Sequence, residues 1–325
     1  MKWKSLLSPG HQATAQQLAT VYRSAMHPKL NPTAALLLTL PPLLWAGNAV
    51  VGRLIGTLVS PMTLNFLRWL IAFALLAPWA GAVLRPGSAL WPSWRRFSML
   101  GLLSVGSYNA LLYLALATSS PLNVTLVGSS TPVWMLLIGR VFFQVPISPR
   151  QWLGALLSIG GVLLVLGRGE LQTLLQVQLV PGDLYVLLAS AAWAFYSWML
   201  AHPTSEPKAI RADWSAFLLA QVLFGLLWSG LFAAAEWALG LGHISWSWPV
   251  AGAMLFIAIG PALIAFRAWG AGVARAGPAV AGFFSNLTPL FTAVLSSAVL
   301  AETPHLYHAL AFALIMGGIV VSSRR

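Results

Sequence analysis

Two arginines inside long apolar stretches are the residues of this sequence with the clearest binding chemistry. A guanidinium within a membrane-spanning helix is costly and usually faces the protein interior or a water-filled cavity. Arg68 has no acidic residue in its own apolar stretch, so it could bind a substrate carboxylate through two parallel hydrogen bonds. Alternatively, Arg68 holds helices together through backbone carbonyls, and Arg53 extends its charge to the membrane interface.

Uncharged polar and aromatic side chains occupy other positions in the same stretches. Such residues commonly form hydrogen bonds between membrane helices, and this is the simpler interpretation of each one alone. Aromatic walls with a few placed polar groups also suit an amphipathic small molecule. Together with Arg68, the set predicts the lining of a substrate-binding cavity: Trp45, Asn48, Tyr108, Asn109, Tyr113, Asn123, Ser129, Trp193, Tyr196 and Asn286.

Two Thr-Pro pairs, Thr131-Pro132 and Thr288-Pro289, lie about half-way along two of the stretches. A proline within a helix removes one backbone hydrogen bond and frees a carbonyl, which in a bilayer must find a partner or face a wet cavity. The pairs predict kinks beside a binding site, or hinges for a conformational change. The alternative is a static kink in which the threonine hydroxyl satisfies the carbonyl.

Catalytic chemistry has little support in the sequence. The chain has no cysteine, and its six acidic residues lie in loops or near the ends of apolar stretches. The apolar stretches contain no cluster of acidic residues and histidines that would predict a metal site, and the sequence has no glycine-rich loop that would predict bound ATP. No cofactor is therefore expected. An intramembrane enzyme acting on lipid or peptide is therefore only an alternative, as is a membrane scaffold without transport activity.

Composition identifies the surroundings of these residues. The 325 residues are 58% hydrophobic and only 7% charged, whereas roughly a quarter of a soluble domain is charged. A membrane-spanning helix needs about 20 apolar residues. In a membrane protein, the basic residues that give the net charge of +12 mark the cytoplasmic loops, and they do not indicate a nucleic-acid partner. The sequence predicts an all-α integral membrane protein with ten transmembrane helices, at residues 34–55, 62–84, 97–118, 121–143, 149–166, 183–201, 214–239, 249–271, 278–300 and 307–322.

An internal repeat organises these helices. Landmarks between residues 121 and 161 recur 157 positions later without a gap. Each copy holds an odd number of predicted helices, so the second copy must begin on the opposite face of the membrane, which gives inverted repeats. The matched landmarks are Pro121 with Pro278, Thr131-Pro132 with Thr288-Pro289, Leu153 with Leu310, Leu157 with Leu314, and Gly160-Gly161 with Gly317-Gly318.

The basic residues predict the orientation. With the N-terminus inside, only Arg53, Arg68 and Arg168 of the 18 Lys+Arg fall in or near the outer half, which predicts that both termini are cytoplasmic. The expected organisation is a cytoplasmic tail at residues 1–30, a first five-helix repeat at 31–167, a loop at 168–181 and a second five-helix repeat at 182–325.

Small residues four positions apart predict where helices approach closely. Gly154 and Ser158 form one such pair, and Ala309, Ala313 and Gly317 form a longer series. We expect both series to lie on helix contact faces.

Four motifs stand out in the sequence: Trp45-Ala-Gly-Asn-Ala-Val-Val-Gly-Arg53, Phe66-Leu-Arg-Trp69, Leu114-Ala-Leu-Ala117 followed by Pro121, and Asn286-Leu-Thr-Pro-Leu290. These motifs resemble those of EamA-type members of the drug/metabolite transporter superfamily. The resemblance covers about residues 34–323 and implies a ten-helix permease of the bacterial inner membrane, often an exporter of amino acids or other metabolites. It also implies a cavity lined by helices one, three, four, six, eight and nine. Many members have a Glu after the fourth and ninth helices; Glu302 matches the second of these, whereas Val145 stands at the first.

The function predicted from these features is alternating-access transport of a small amphipathic metabolite such as an amino acid. The arginines favour a carboxylate on the substrate, and the aromatic side chains favour an apolar portion. The predicted partners are this small molecule and the lipid bilayer. A monomer and a homodimer both stay open.

Overall fold

The protein is built almost entirely of helices. The structure, a computed structural model, describes residues 30–116, 118–119, 121–176, 180–203, 206–300 and 306–324. Two of the helical stretches contain π-helical segments, π1 (Leu102–Ser107) and π2 (Ala258–Ile264). The α-helices are α1 (Pro32–Ile55), α2 (Pro61–Ala80), α3 (Trp94–Gly101), α4 (Tyr108–Leu116), α5 (Pro121–Gly128), α6 (Thr131–Phe142), α7 (Pro149–Leu166), α8 (Leu171–Leu175), α9 (Pro181–Ala201), α10 (Lys208–Ala212), α11 (Trp214–Ala238), α12 (Trp248–Ile257), α13 (Ala265–Ala276), α14 (Pro278–Ser285), α15 (Leu287–Leu300) and α16 (Leu306–Ser323).

Most of these helices have the dimensions of membrane spans. Within the described ranges, nine helical stretches are long and apolar enough to cross a bilayer, as the low charge content predicts. The chain is therefore a multi-pass membrane protein. A further helical stretch, formed by α3, π1 and α4, runs from Trp94 to Leu116. The nine are Pro32–Ile55, Pro61–Leu84, Val124–Phe142, Pro149–Leu166, Pro181–Ala201, Trp214–Ala238, Trp248–Ala276, Pro278–Leu295 and Leu306–Ser323.

Prolines and short polar caps place the helix starts. α1, α2, α7, α9 and α14 each begin with a proline, whose missing N–H costs nothing in the first turn. Before α1, the Asn31 side chain accepts a hydrogen bond from a first-turn backbone N–H at 2.7 Å. Before α7, Ser148 and Gln151 form the reciprocal bonds of a capping box. Because these signals are local, the predicted segments 34–55 and 149–166 almost coincide with α1 and α7.

α1 and α9 each pack against several other helices. α1 packs against α13 and α15, and α9 packs against α4 and α6. α2 packs against α11, and α7 packs against α16.

The backbones of α7 and α16 approach closely where they cross. A Cβ added to Gly154 would lie 2.7 Å from the carbonyl oxygen of Gly318, and one added to Gly161 would lie 2.8 Å from that of Ala311. Gly154 and Ser158 are both buried, so the predicted contact face of α7 is confirmed. Close backbone approach of this kind depends on small residues.

The contact face of α16 differs from the predicted one. Ala309 and Ala313 are exposed, and a Cβ on Gly317 would meet no atom within 4 Å. The prediction was therefore wrong for this helix, whose contact face carries Ala311 and Gly318. Small residues line more than one face of α16, and their spacing alone does not tell which face has a partner helix.

This crossing predicts a difference between two adjacent glycines. Gly161→Ala should lower the melting temperature, because the new Cβ would lie 2.7 Å from Cγ1 of Ile315 and 2.8 Å from the Ala311 carbonyl oxygen, and such overpacking costs about 1–3 kcal/mol. Gly160→Ala is the control, since its Cβ would have open space and alanine is the better helix former. Thermal unfolding in one detergent compares the two, and equal melting temperatures would contradict the close crossing.

A buried carboxylate joins the end of α11 to the start of α2. Glu236 accepts hydrogen bonds from the hydroxyls of Ser60 at 2.6 Å and Thr63 at 2.8 Å. It also accepts them from the backbone N–H groups of Met62 at 3.0 Å and Thr63 at 2.9 Å. Negative charge at a helix N-terminus is stabilising, so Glu236 both caps α2 and holds two helices together.

Glu236→Ala is expected to lower the melting temperature strongly, because it leaves four donors without their acceptor. A buried donor without a partner costs about 1–3 kcal/mol. Glu170→Ala removes the same charge from an exposed position and should change stability little. Thermal unfolding of both variants measures the difference, and a Glu236→Ala protein as stable as the control would show that the cap does not matter.

Candidate functional site

Aromatic side chains from α1, α4, α9 and α13 meet between the two halves of the chain. Trp193 lies among five other aromatic side chains, whose ring centroids are 5.1 to 5.6 Å from the ring centroid of Trp193. Aromatic pairs in such edge and tilted arrangements attract beyond their burial. We call this group the central aromatic cluster: Trp45, Tyr108, Trp193, Tyr196, Phe266 and Trp269.

The polar edges of two indoles in the cluster are hydrogen-bonded. The Trp45 Nε1–H donates to the carbonyl oxygen of Pro261 at 3.3 Å, and the Trp269 Nε1–H donates to the Ser197 hydroxyl at 3.1 Å. Pro261 lies inside π2, and a proline there disturbs the regular backbone ladder. Because π-helical segments are frequent at functional sites, the position of π2 beside the central aromatic cluster supports a functional role for the cluster.

Two interrupted helices contact each other at their interruptions. The turn between α5 and α6 contains Ser129, and the turn between α14 and α15 is at Asn286, 157 positions later. The Asn286 side-chain N–H donates to the Ser129 carbonyl at 3.2 Å and to the Ser158 hydroxyl at 2.9 Å. Asn286 is 1% exposed and Ser129 is 4% exposed. Both residues thus join the two interruptions, and their contact with substrate stays a prediction.

The Thr-Pro pairs follow these interruptions. Pro132 lies in the first turn of α6 and Pro289 in the first turn of α15, where a missing N–H is tolerated. The Thr131 hydroxyl donates to the Gly128 carbonyl at 2.7 Å, which is the bond that the static interpretation requires. Thr288 and Pro289 are half-buried. That these two interruptions act as hinges stays a prediction.

Arg68 is buried next to the central aromatic cluster. It is 5% exposed, and its guanidinium carbon lies 5.3 Å from the ring centroid of Trp69. Trp69 in turn contacts Phe266 of the cluster, with ring centroids 4.8 Å apart. Arg53, in contrast, is exposed in the last turn of α1, as expected for a side chain that reaches the interface.

The remaining predicted residues are distributed around the cluster's helices. Asn48 and Asn109 are half-buried, on α1 and α4. The side chains of Tyr113 and Asn123, and all of Glu302, lie outside the described residues. For these positions a role in binding stays a prediction.

A cavity of about 360 Å³ extends from the cluster between α9, α11 and α13. Tyr196 and Phe266 of the cluster line it, and so does Gln221. Its charged lining residues are Arg211, Arg267 and Arg275. We call this space the basic vestibule. Sequence reasoning did not assign Gln221 or Arg275 to a site, although Arg267 and Arg275 are eight positions apart and so share a helix face.

Arginines also hold the end of α9 beside the basic vestibule. Arg96 bonds the Glu206 carboxylate at 2.9 Å and donates to the Met199 carbonyl at 2.6 Å, while Arg211 lies 3.8 Å from the same carboxylate. Positive charge at a helix C-terminus is favourable. Burial lowers the pKa of the Arg211 guanidinium, the Glu206 carboxylate raises it, and the Arg96 charge lowers it.

The EamA-like transporter family matches residues 32–167 and, a second time, residues 180–324. The chain belongs to the EamA-like transporter family. The resemblance of its motifs to EamA-type proteins is thereby confirmed, and the chain is a membrane transporter and not an enzyme. A small-molecule substrate and membrane lipid are the partners that this family implies.

Individual EamA relatives are distant in sequence. The chain is 27% identical over 287 residues to the aromatic amino acid exporter YddG of Ancylobacter novellus, covering 86% of this chain and 93% of the relative. It is 23% identical over 300 residues to an uncharacterized transporter of Archaeoglobus fulgidus, covering 91% and 99%. A solved crystal structure at 24% identity aligns with a TM-score of 0.68 over 90% of this chain and 96% of the other, which shows a shared fold.

Proposed function

We propose that this EamA protein exports small amphipathic metabolites, amino acids among them, by alternating access across the bacterial cytoplasmic membrane. The observation that carries the proposal is the central aromatic cluster. Its Trp45 and Trp193 come from the two predicted repeats, and their ring centroids lie 5.2 Å apart. Substrate sites of secondary transporters lie at such repeat interfaces near the membrane midplane.

The crossing of α7 and α16 supports two repeats of opposite orientation. A shift of 157 positions takes Gly154 to residue 311 and Gly161 to residue 318. The shift therefore turns the Gly154–Gly318 contact into the Gly161–Ala311 contact, and the reverse. The same exchange occurs in the self-complementary interface at a two-fold axis. The order of the two contacts is reversed along α16, so the helices run antiparallel, as inverted copies require.

Irregular helices recur at matching positions and support the same arrangement. The same shift moves π1 to residues 259–264, inside π2 (Ala258–Ile264), and moves Ser129 of the first interruption onto Asn286 of the second. In this proposal the Trp94–Leu116 stretch that contains π1 is the third span, which completes ten. The excess of basic residues on one side supports an arrangement with both termini in the cytoplasm.

The substrate class rests on the chemistry of the cluster. Aromatic walls bind apolar groups, and the buried Arg68 beside Trp69 could bind a carboxylate in parallel hydrogen bonds. An amino acid with an apolar side chain carries both groups. The Ancylobacter novellus relative, named an aromatic amino acid exporter, is consistent with this class.

Counterflow in proteoliposomes tests the proposal. Vesicles containing the purified protein would be loaded with unlabelled tryptophan, phenylalanine or leucine and diluted into the labelled amino acid. We expect saturable uptake that depends on the amino acid inside, because alternating access exchanges substrate across the membrane. No exchange above that of protein-free vesicles for any of the three, with protein that remains folded, would overturn the proposal.

A further inference from the structure

We propose that the basic vestibule is a second binding site, which takes an amphipathic anion carrying a carboxylate or phosphate, an apolar body and an N–H or O–H donor. The inference rests on the proposed function in one respect, because it treats this site as the approach to the central aromatic cluster. The position of the vestibule, its charge and one unsatisfied amide are independent of that function.

The charge of the vestibule selects anions. Within the described residues, its lining includes Arg211, Arg267 and Arg275 and no acidic side chain. Glu206 is not in the lining, although its carboxylate lies 3.8 Å from the guanidinium of Arg211. The guanidinium of Arg267 stands 5.4 Å from the ring centroid of Trp214, which lines the same cavity. Guanidinium groups bind carboxylate and phosphate in paired hydrogen bonds, and the indole beside Arg267 offers an apolar contact.

One side-chain acceptor in the lining of the vestibule has no donor among the described residues. Gln221 is 2% exposed and lines the cavity, and its side-chain N–H donates to the Phe217 carbonyl at 3.2 Å. Its Oε1 is buried and accepts no hydrogen bond among the described residues. A buried acceptor without a donor is costly, so a ligand that supplies an N–H or O–H here would gain that free energy.

Walls between these polar groups are aromatic. Phe217, Tyr196 and Phe266 line the cavity, and the latter two also contact Trp193, with ring centroids 5.1 and 5.6 Å away. A ligand held by the arginines would therefore extend its apolar body toward the central aromatic cluster. The same chemistry fits a free anionic metabolite and the headgroup region of an anionic lipid.

Indole compounds that differ in charge test the site. Indole-3-acetate, indole and tryptamine share the ring and its N–H donor but are an anion, a neutral molecule and a cation. We expect titration calorimetry on the purified wild-type protein in neutral detergent to show saturable binding of indole-3-acetate, about tenfold or more tighter than tryptamine. Arg267→Gln combined with Arg275→Gln should weaken indole-3-acetate about tenfold or more, and Gln221→Leu should weaken indole-3-acetate and indole alike. A tenfold change corresponds to about 1.4 kcal/mol.

The control is Arg324→Gln, which removes an exposed charge at the end of the chain and should leave binding unchanged.

Repeating the titration in nanodiscs with and without phosphatidylglycerol separates the two ligand sources. Competition by phosphatidylglycerol, lost in the double arginine variant, supports the anion site with lipid as its occupant; unchanged affinity supports a free metabolite. Equal binding of the anion and the cation, or no effect of the double variant, would overturn the inference. Because binding is measured without transport, this result is independent of a failure of counterflow.

Discussion

Trp193→Ala is expected to raise the KM for counterflow about tenfold or more and to lower the melting temperature. The side chain is 4% exposed and contacts the five other rings of the central aromatic cluster. Its truncation removes an apolar wall worth about 1.5–3 kcal/mol to a bound apolar group, which is about tenfold or more in affinity. Cavity formation in a core by loss of a tryptophan costs about 3–5 kcal/mol of stability.

Two further variants separate binding from folding. Trp193→Phe keeps an aromatic ring and should recover much of the stability while its KM stays above that of the wild type. Trp248→Ala removes a tryptophan that is 91% exposed and should change neither quantity. A Trp193→Ala protein that is destabilised but transports with the wild-type KM would place substrate elsewhere.

Asn286→Leu is expected to reduce the maximal rate of counterflow about tenfold while the KM changes little. The leucine has a similar size but cannot donate to the Ser129 carbonyl or the Ser158 hydroxyl, which Asn286 contacts at 3.2 and 2.9 Å. Leaving buried polar groups without a partner costs about 1–3 kcal/mol. The lost hydrogen bonds join the two helix interruptions. The proposed alternating-access mechanism requires these interruptions to change conformation, so we expect the rate to fall.

Exchanging the two matched residues provides the control for Asn286. Ser129→Asn combined with Asn286→Ser places the amide on the other side of the same contact, and we expect it to recover part of the rate. Counterflow kinetics of the single and double variants measure both parameters. A raised KM at an unchanged maximal rate would instead make Asn286 a substrate contact and contradict the role argued from its hydrogen bonds.

Patterns that depend on local chemistry were predictable from the sequence. Low charge content and long apolar stretches predicted a helical, multi-pass membrane protein, and the helix starts followed from prolines and caps such as Asn31. The Trp45 and Asn286 motifs led to the family. These features are local because a helix satisfies its backbone within one segment.

Features that depend on which helices meet were harder to predict. Spacing did not reveal which small residues of α16 face α7, and it assigned Ala313 to a contact face although that residue is exposed. The basic vestibule combines Gln221 of α11 with Arg267 and Arg275 of α13, and no motif joins these helices in the sequence. The Thr-Pro pairs indicated irregular helices, but the interruptions precede the prolines because the missing N–H of proline suits a helix start.

The central claim is that the two halves are inverted copies, and labelling of matched positions tests it most directly. The chain has no cysteine, so Ser88→Cys and Ser245→Cys each introduce a single thiol, 157 positions apart, in the loops after α2 and α11. The account predicts that a membrane-impermeant maleimide labels Ser245→Cys in intact cells and labels Ser88→Cys only after permeabilisation. Labelling of both variants from the same side of the membrane would contradict it.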